Sequence, residues 1–261
     1  MQGSTSDPNL NHDLNDFEKT YKMDLEKITS FVNLFDDNNI IHKNLEGTSI
    51  VPGMYQLALI VEQKDFPDYG YIDAKFSGKL MCEELTKIRK VSDGRYEYEL
   101  IHATQPTPPT PLTTYPAYPA TQSKPTTELK IGCEKTDILD ILNFEEKGKG
   151  IIKRNVKTIK RESVKLYYNS LGIDNSILKS GLKVPKIIPA MYIPAVLLGY
   201  GSGKGYLLGL KLNFFSNPEF GEIEILSMIK HKRGRNCHVE LEIIQKDTIV
   251  SYGESSILEI D

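Results

Sequence analysis

At 261 residues the chain can hold one large domain or two of about 120 residues, and either can bury a sizeable core. An apolar share of 39% and a charged share of 26% are ordinary for a folded soluble chain, and a net charge of −3 excludes a general affinity for nucleic acid or for anionic membranes. Cys82, Cys133 and Cys237 have no metal-ligand spacing and make an odd count, so no metal is expected and a reducing compartment, the cytoplasm by default, is. There is no apolar signal core near Met1 and no run of about 18 apolar residues to span a membrane.

Residues 1–16 are rich in Asn, Asp, Ser and Gly and are expected to form a disordered tail. From Met23 the pattern turns helical: Leu25, Ile28, Val32 and Phe35 recur at spacings of three and four, with Asp24 as the cap. The helix ends near Phe35, so Asp37-Asn38-Asn39-Ile40-Ile41-His42 forms a loop just past it, a common place for reactive groups. Pro52-Gly53 then opens a second helix, Gly53 to Gln63, with nothing charged before Glu62. A helix apolar on all faces is buried, here by an enclosing sheet. Strands are expected at 71–76, 79–91, 95–103 and 127–133. Between the last two lies an insertion, 104–125, that holds half of the chain's 14 prolines. Proline cannot donate to a ladder, so this stretch reads as a long extended surface loop.

Residues 137–150 read as a connector between an N-terminal unit, 17–136, and a C-terminal unit, 151–261. The second unit opens with a strand at 151–160 and a helix capped by Ser163 and closed by Gly172. An apolar helix at 191–200, which tolerates Pro194 in its first turn, precedes strands at 205–215, 222–229, 239–245 and 249–260.

A shift of 137 residues superposes the two units. Leu34, Asp37, Asn38, Ile40, Leu45, Ile50, Pro52, Met54, Tyr55 and Ala58 recur as Leu171, Asp174, Asn175, Ile177, Leu182, Ile187, Pro189, Met191, Tyr192 and Ala195. The differences are informative. His42 becomes Lys179, Asn39 becomes Ser176 and Gly53 becomes Ala190. The second copy keeps a carboxylate but loses the imidazole and the glycine, which points to one working site in the first unit.

A helix, then Asp-x-Asn-x-x-His, then Pro-Gly opening a buried helix, resembles the hot-dog fold, and within it the MaoC-like (R)-specific enoyl-thioester hydratases and 3-hydroxyacyl-thioester dehydratases. Ile40 stands where that family has proline. The stretch His42-Lys-Asn-Leu-Glu-Gly47-Thr-Ser-Ile-Val-Pro52 also resembles the dehydratase domains of polyketide synthases, but Ile193 and Ala58 occupy the helix positions where related dehydratases carry an acid.

The resemblance implies an α+β double hot dog, two fused units each wrapping an antiparallel sheet around a central helix. It implies reversible hydration of 2-enoyl thioesters in fatty-acid or polyketide metabolism. Asp37 and His42 would share a water, Asn39 would orient the Asp or the water, and the Gly53 N–H would bind the thioester oxygen. Pro52, Met54 and Tyr55 are candidate substrate contacts. So are Arg233 and Arg235 in the basic turn Lys230-His231-Lys232-Arg233-Gly234-Arg235, which could meet coenzyme A phosphates or an acidic carrier protein. No cofactor is implied beyond the coenzyme A or phosphopantetheine of the substrate. The expected assembly is a monomer or a homodimer of double hot dogs. Two other classes stay open: a thioesterase on the same fold, and a non-catalytic acyl-thioester-binding module.

Overall fold

A computed structural model describes residues 19–42, 49–63, 68–92, 96–102, 125–132, 152–173, 182–198, 200 and 204–260. The expected tail, the connector, Cys133, Asp174, Ser176, Lys179 and all of the proline-rich insertion except Pro125 lie outside the described residues.

Among the described residues, ten antiparallel strands form one sheet. In chain order these are β1 (Lys19–Lys22), β2 (Tyr71–Phe76), β3 (Leu85–Ser92), β4 (Tyr96–His102), β5 (Thr127–Gly132), β6 (Ile152–Ile159), β7 (Gly205–Phe214), β8 (Gly221–Arg233), β9 (Asn236–Gln245) and β10 (Thr248–Glu259). The spatial order is β1-β3-β4-β5-β2-β7-β10-β9-β8-β6. The first five strands and the last five follow the same order from opposite edges and meet at β2 and β7. There Asp73 pairs with Lys211 and Ala74 with Leu210. The sheet therefore carries an internal pseudo-twofold, with each element of the first half matched by one of the second.

Among the described residues, four helices lie in the folds of this sheet: α1 (Leu25–Leu34), α2 (Gly53–Val61), α3 (Arg161–Leu171) and α4 (Ile193–Leu198). Every residue of α2 from Met54 to Val61 is buried, as its sequence demands. α1 and α3 pack on one another, and an aromatic cluster fastens them. Phe31 meets Tyr55 edge-on at 5.2 Å, and Phe35 meets Tyr192 at 5.1 Å and Tyr167 at 6.0 Å. Such spacings are those of favourable ring pairs.

Asp24 caps α1 as expected, its Oδ1 accepting from Glu26 N at 2.9 Å and Lys27 N at 3.3 Å. Four elements differ from the sequence reading. β1, Lys-Thr-Tyr-Lys, shows no alternation and becomes a strand only by pairing with β3. The run 79–91 is not one strand. Its first part turns at Glu83, which sits at φ 68°, while Leu80 and Cys82 bond to the segment ahead of α2: Val51 N to Leu80 O at 2.8 Å and Cys82 N to Ser49 O at 2.9 Å. Ser163 does not cap α3, because β6 runs straight into the helix and Lys160 takes the cap position without a side-chain bond. The chain ahead of α4 begins as a 3-10 turn at Ile188–Tyr192, with Pro189 near its start.

The helices keep the offset of the repeat. The leading helices end at Leu34 and Leu171 and the buried helices at Val61 and Leu198, each pair 137 apart. The chain leaves the leading helices differently: Gly172 caps α3 at φ 69°, whereas Phe35 caps α1 and the left-handed residue is the next one, Asp36 at φ 56°.

Candidate active site

The site begins with how α1 stops. Asp36 takes the left-handed conformation, which aspartate tolerates better than most residues, and Lys157 Nζ holds its carboxylate at 2.7 Å. The chain reverses, Asp37 N bonds back to Val32 O at 3.0 Å, and the Asp37 side chain is buried at 4% exposure. Asn39 N then donates to Asp37 Oδ1 at 3.2 Å, which holds that carboxylate in a local turn. A 3-10 turn at Ile40–His42 follows, closed by His42 N to Asn39 O at 3.1 Å. It points Ile40 to solvent and His42 inward.

His42 Nδ1 lies 2.7 Å from the Ile50 carbonyl. A carbonyl can only accept, so Nδ1 carries the proton and Nε2 of the neutral ring carries the lone pair. Ile50 is itself fixed, its N–H on Ile41 O at 3.1 Å and its backbone bridged to Met81. Nε2 faces Asp37 Oδ2 at 3.6 Å. That is too long for a direct hydrogen bond and suits a pair that shares one water. Burial pushes the His42 pKa below its ordinary value, against the opposing pull of the Asp37 charge and the Ile50 bond.

Asn39 is 4% exposed and reaches across to the second half, where its Nδ2 donates to Gly205 O at 2.6 Å. This bond fixes the amide orientation and leaves Oδ1 buried, with no partner among the described residues. Gln56, buried one turn into α2, accepts from Thr127 Oγ1 at 2.6 Å and donates to Val51 O at 3.2 Å, so it pins the entry to the helix.

Asp37, Asn39, His42, Pro52, Gly53 and Met54 all line one cavity of about 400 Å³. Gly53 is the first residue of α2, where backbone N–H groups have no partner within the helix. Its lack of a side chain has a packing cause as well: a Cβ there would stand 2.9 Å from the Phe76 ring. Ile41, Phe76 and, from the second half, Pro194, Leu197, Leu207 and Ile257 make apolar wall. The exposed residues Ser77, Gly78, Lys79 and Lys204 mark the mouth, with Glu259 beside them.

Other expected substrate contacts lie elsewhere. Tyr55 turns away from the cavity, its hydroxyl on Ser170 O at 2.9 Å and its ring on Phe31. Arg233 and Arg235 are exposed at the β8–β9 turn and do not line the cavity. That turn is nonetheless tied to the mouth, since Glu259 N donates to Arg235 O at 2.9 Å and Lys232 Nζ meets Glu259 Oε2 at 2.6 Å. Reasoning on the sequence missed Gln56, Phe76, Lys79, Lys204, Tyr206 and Glu259. The signal available for the second-half residues was the repeat itself, because the pseudo-twofold sets the start of β7 against the end of β2.

The same symmetry places a smaller cavity, about 270 Å³, between the start of β2 and the end of β7. Tyr69 occupies the position that Tyr206 has in the larger one. Lys186 Nζ stands 5.3 Å over the Tyr69 ring, as Lys79 Nζ stands 5.4 Å over Tyr206. Here the arrangement is closed: Tyr69 is 8% exposed, its ring packs on Phe214 at 5.2 Å, and Lys186 is paired with Asp68 at 2.6 Å.

The architecture is that of the α+β double hot dog, two units that each fold a sheet around a buried helix. The chain shares this fold with MaoC-like dehydratases. One solved MaoC-like dehydratase is 9% identical over 94% of this chain and 97% of that one, with a TM-score of 0.60. The MaoC-like dehydratase of Phytophthora capsici is 11% identical over 94% and 96%, with a TM-score of 0.56. A putative oleoyl thioesterase of Lactobacillus plantarum is 8% identical over 96% and 98%, with a TM-score of 0.50. No protein-family model matches the chain, and no curated protein matches it by sequence. Among the described residues no helix is long and apolar enough to cross a membrane.

Proposed function

We propose that the chain catalyses the reversible addition of water to 2-enoyl thioesters of coenzyme A or an acyl-carrier protein, in fatty-acid or polyketide metabolism. The observation that supports this best is the separation of 3.6 Å between His42 Nε2 and Asp37 Oδ2, at the wall of an otherwise largely apolar cavity.

The pair holds one water. As the water oxygen bonds to the β-carbon, one of its protons passes to the pair, for which the Nε2 lone pair and the Asp37 carboxylate are the two acceptors. The electrons of the double bond move to the thioester oxygen, which the Gly53 N–H receives at the positive end of α2. The pair then returns a proton to the α-carbon on the same face, which completes a 3-hydroxyacyl thioester. Dehydration runs the same steps backward. Asn39 holds Asp37 through its backbone N–H and anchors the loop through its side-chain amide on Gly205 O. A well-placed acid–base pair contributes roughly 10²–10⁴ in rate.

The test is the ultraviolet absorbance of crotonyl-CoA and of a crotonyl carrier protein with the parent, Asp37→Asn and His42→Ala. Loss of the enoyl signal with the parent alone supports the reading, and equal rates in all three proteins end it. Thioester hydrolysis is the second reading, favoured by the thioesterase with the same fold. The same water would then attack the carbonyl carbon, and free thiol would appear.

A further inference from the structure

Tyr55 apart, Gln56 is the one polar side chain of α2, and it is 2% exposed. A buried amide costs stability unless its bonds are made, so its presence needs a reason. The fold alone does not supply one. The offset of 137 that relates the halves puts Ile193 at this position, fully buried at the start of α4. The second half therefore packs its buried helix with an aliphatic side chain there. The amide is missing from the same copy that lacks the imidazole of His42 and the glycine at Gly53, where Lys179 and Ala190 stand.

The bonds of Gln56 run toward Gly53. Its backbone N–H donates to Pro52 O at 3.1 Å, and its side-chain Nε2 donates to Val51 O at 3.2 Å. Pro52 O belongs to the planar peptide that carries the Gly53 N–H, so a hold on this carbonyl is a hold on that N–H. Val51 O belongs to the peptide before it, where Pro52 offers no N–H that could be held instead. One residue thus fixes the two consecutive peptides that aim the Gly53 N–H. The amide is fixed in turn by Thr127, fully buried on β5, whose hydroxyl donates to Gln56 Oε1 at 2.6 Å. Thr127 pairs across the sheet with Phe76, the ring that stands against Gly53.

We infer that Gln56, held by Thr127, is a positioning residue for the Gly53 N–H, on which it acts through the Val51 and Pro52 carbonyls. The role rests on the hydratase reading above, in which that N–H receives the thioester oxygen. A donor aimed at developing charge works only within a narrow geometry. A small tilt of the Gly53 peptide therefore lowers the rate while it leaves the fold and most of the substrate binding in place.

The experiment compares the full chain with Thr127→Ser, Thr127→Val and the double variant Gln56→Ile/Thr127→Val. The double variant removes both partners of the side-chain bond and inserts the residue that the second half carries, so neither side chain keeps an unpaired polar atom and the fold is retained. With crotonyl-CoA, Thr127→Val and the double variant should show a kcat about tenfold lower and a KM within about twofold of the parent. Thr127→Ser keeps the hydroxyl and should keep the parent's kcat. The Gly53 amide resonance, read by NMR without substrate, should be single in the parent and broadened or doubled in the double variant. Should the double variant not fold, Thr127→Val is read by the same criteria. The parent's kcat in the double variant, or an equal loss in Thr127→Ser, refutes the positioning role and leaves the hydratase reading. A parent that does not hydrate crotonyl-CoA, with a broadened Gly53 resonance in the double variant, refutes the hydratase reading and leaves the hold on Gly53. An unchanged resonance in that case overturns both.

Discussion

Asn39, on the loop after α1, donates its side-chain amide to the carbonyl of Gly205 in the opposite half at 2.6 Å. This bond spans the pseudo-twofold and connects the Asp37–His42 loop to the strand that forms the far wall of the cavity. The second half is thus part of the site, although its own copy of the motif has lost the imidazole.

Asn39→Ala removes that tie to the part-buried Gly205 carbonyl, at a cost of about 0.5–1.5 kcal/mol. We expect a thermal midpoint lower by several degrees and a kcat lowered about 10- to 100-fold, measured by calorimetry and by enoyl absorbance. A variant with the parent's kcat shows that this anchor does not position the Asp37–His42 pair.

His42→Ala and Asp37→Asn should each lower kcat/KM by at least about 10². The pH dependence follows from the tautomer. Of the two acceptors in the pair, the imidazole serves only as neutral His42, whose pKa burial pushes below its ordinary value. Protonation removes the Nε2 lone pair, so kcat/KM should stay level down through the ordinary imidazole range and fall only on its acid side. A falling limb above the ordinary imidazole value contradicts this assignment.

Gly53→Ala places a Cβ 2.9 Å from the Phe76 ring, which must shift. Overpacking of this kind costs about 1–3 kcal/mol. Pairing it with Phe76→Leu should recover stability. If only the packing mattered, activity would return with it. We expect activity to stay low, because the added methyl still stands where the thioester oxygen approaches the helix start. Full recovery of rate in the double variant refutes that role for Gly53.

Glu62, at the end of α2, accepts from the Tyr167 hydroxyl at 3.0 Å, and burial raises its pKa to about 7. The folded chain holds this proton more tightly than the unfolded chain does. The stabilisation is therefore complete below the ordinary glutamate value and is lost as the pH rises through about 7. Glu62→Gln should raise the thermal midpoint at pH 8, by on the order of 2 kcal/mol in stability, and change it little at pH 4. A variant that parallels the parent across this range shows that Glu62 titrates normally.

Period and punctuation in the sequence determined much of the fold. The spacing of Leu25, Ile28, Val32 and Phe35, the Asp24 cap and the unbroken apolar run of α2 identify their helices because these are local properties of the chain. The repeat identified two like halves, because an identical pattern of burial imposes an identical pattern of residues. The contents of the loop Asp37 to His42 were legible for the same reason, since all four residues singled out there and at Gly53 fall within 17 positions of one another.

Tertiary structure decided what depends on distant partners. β1 exists through β3, and the turn at Glu83 interrupts a run that alternates like a strand. Tyr55 follows Gly53 by two residues, yet its side chain leaves α2 on the face toward α3 and lies outside the cavity. Lys204, Tyr206 and Glu259 reach the mouth only because β7 pairs with both β2 and β10. Among the described residues, the buried oxygens without a partner, Asn39 Oδ1 and Glu259 Oε1, are a result of packing alone, for no sequence records which of a side chain's atoms the fold leaves unpaired.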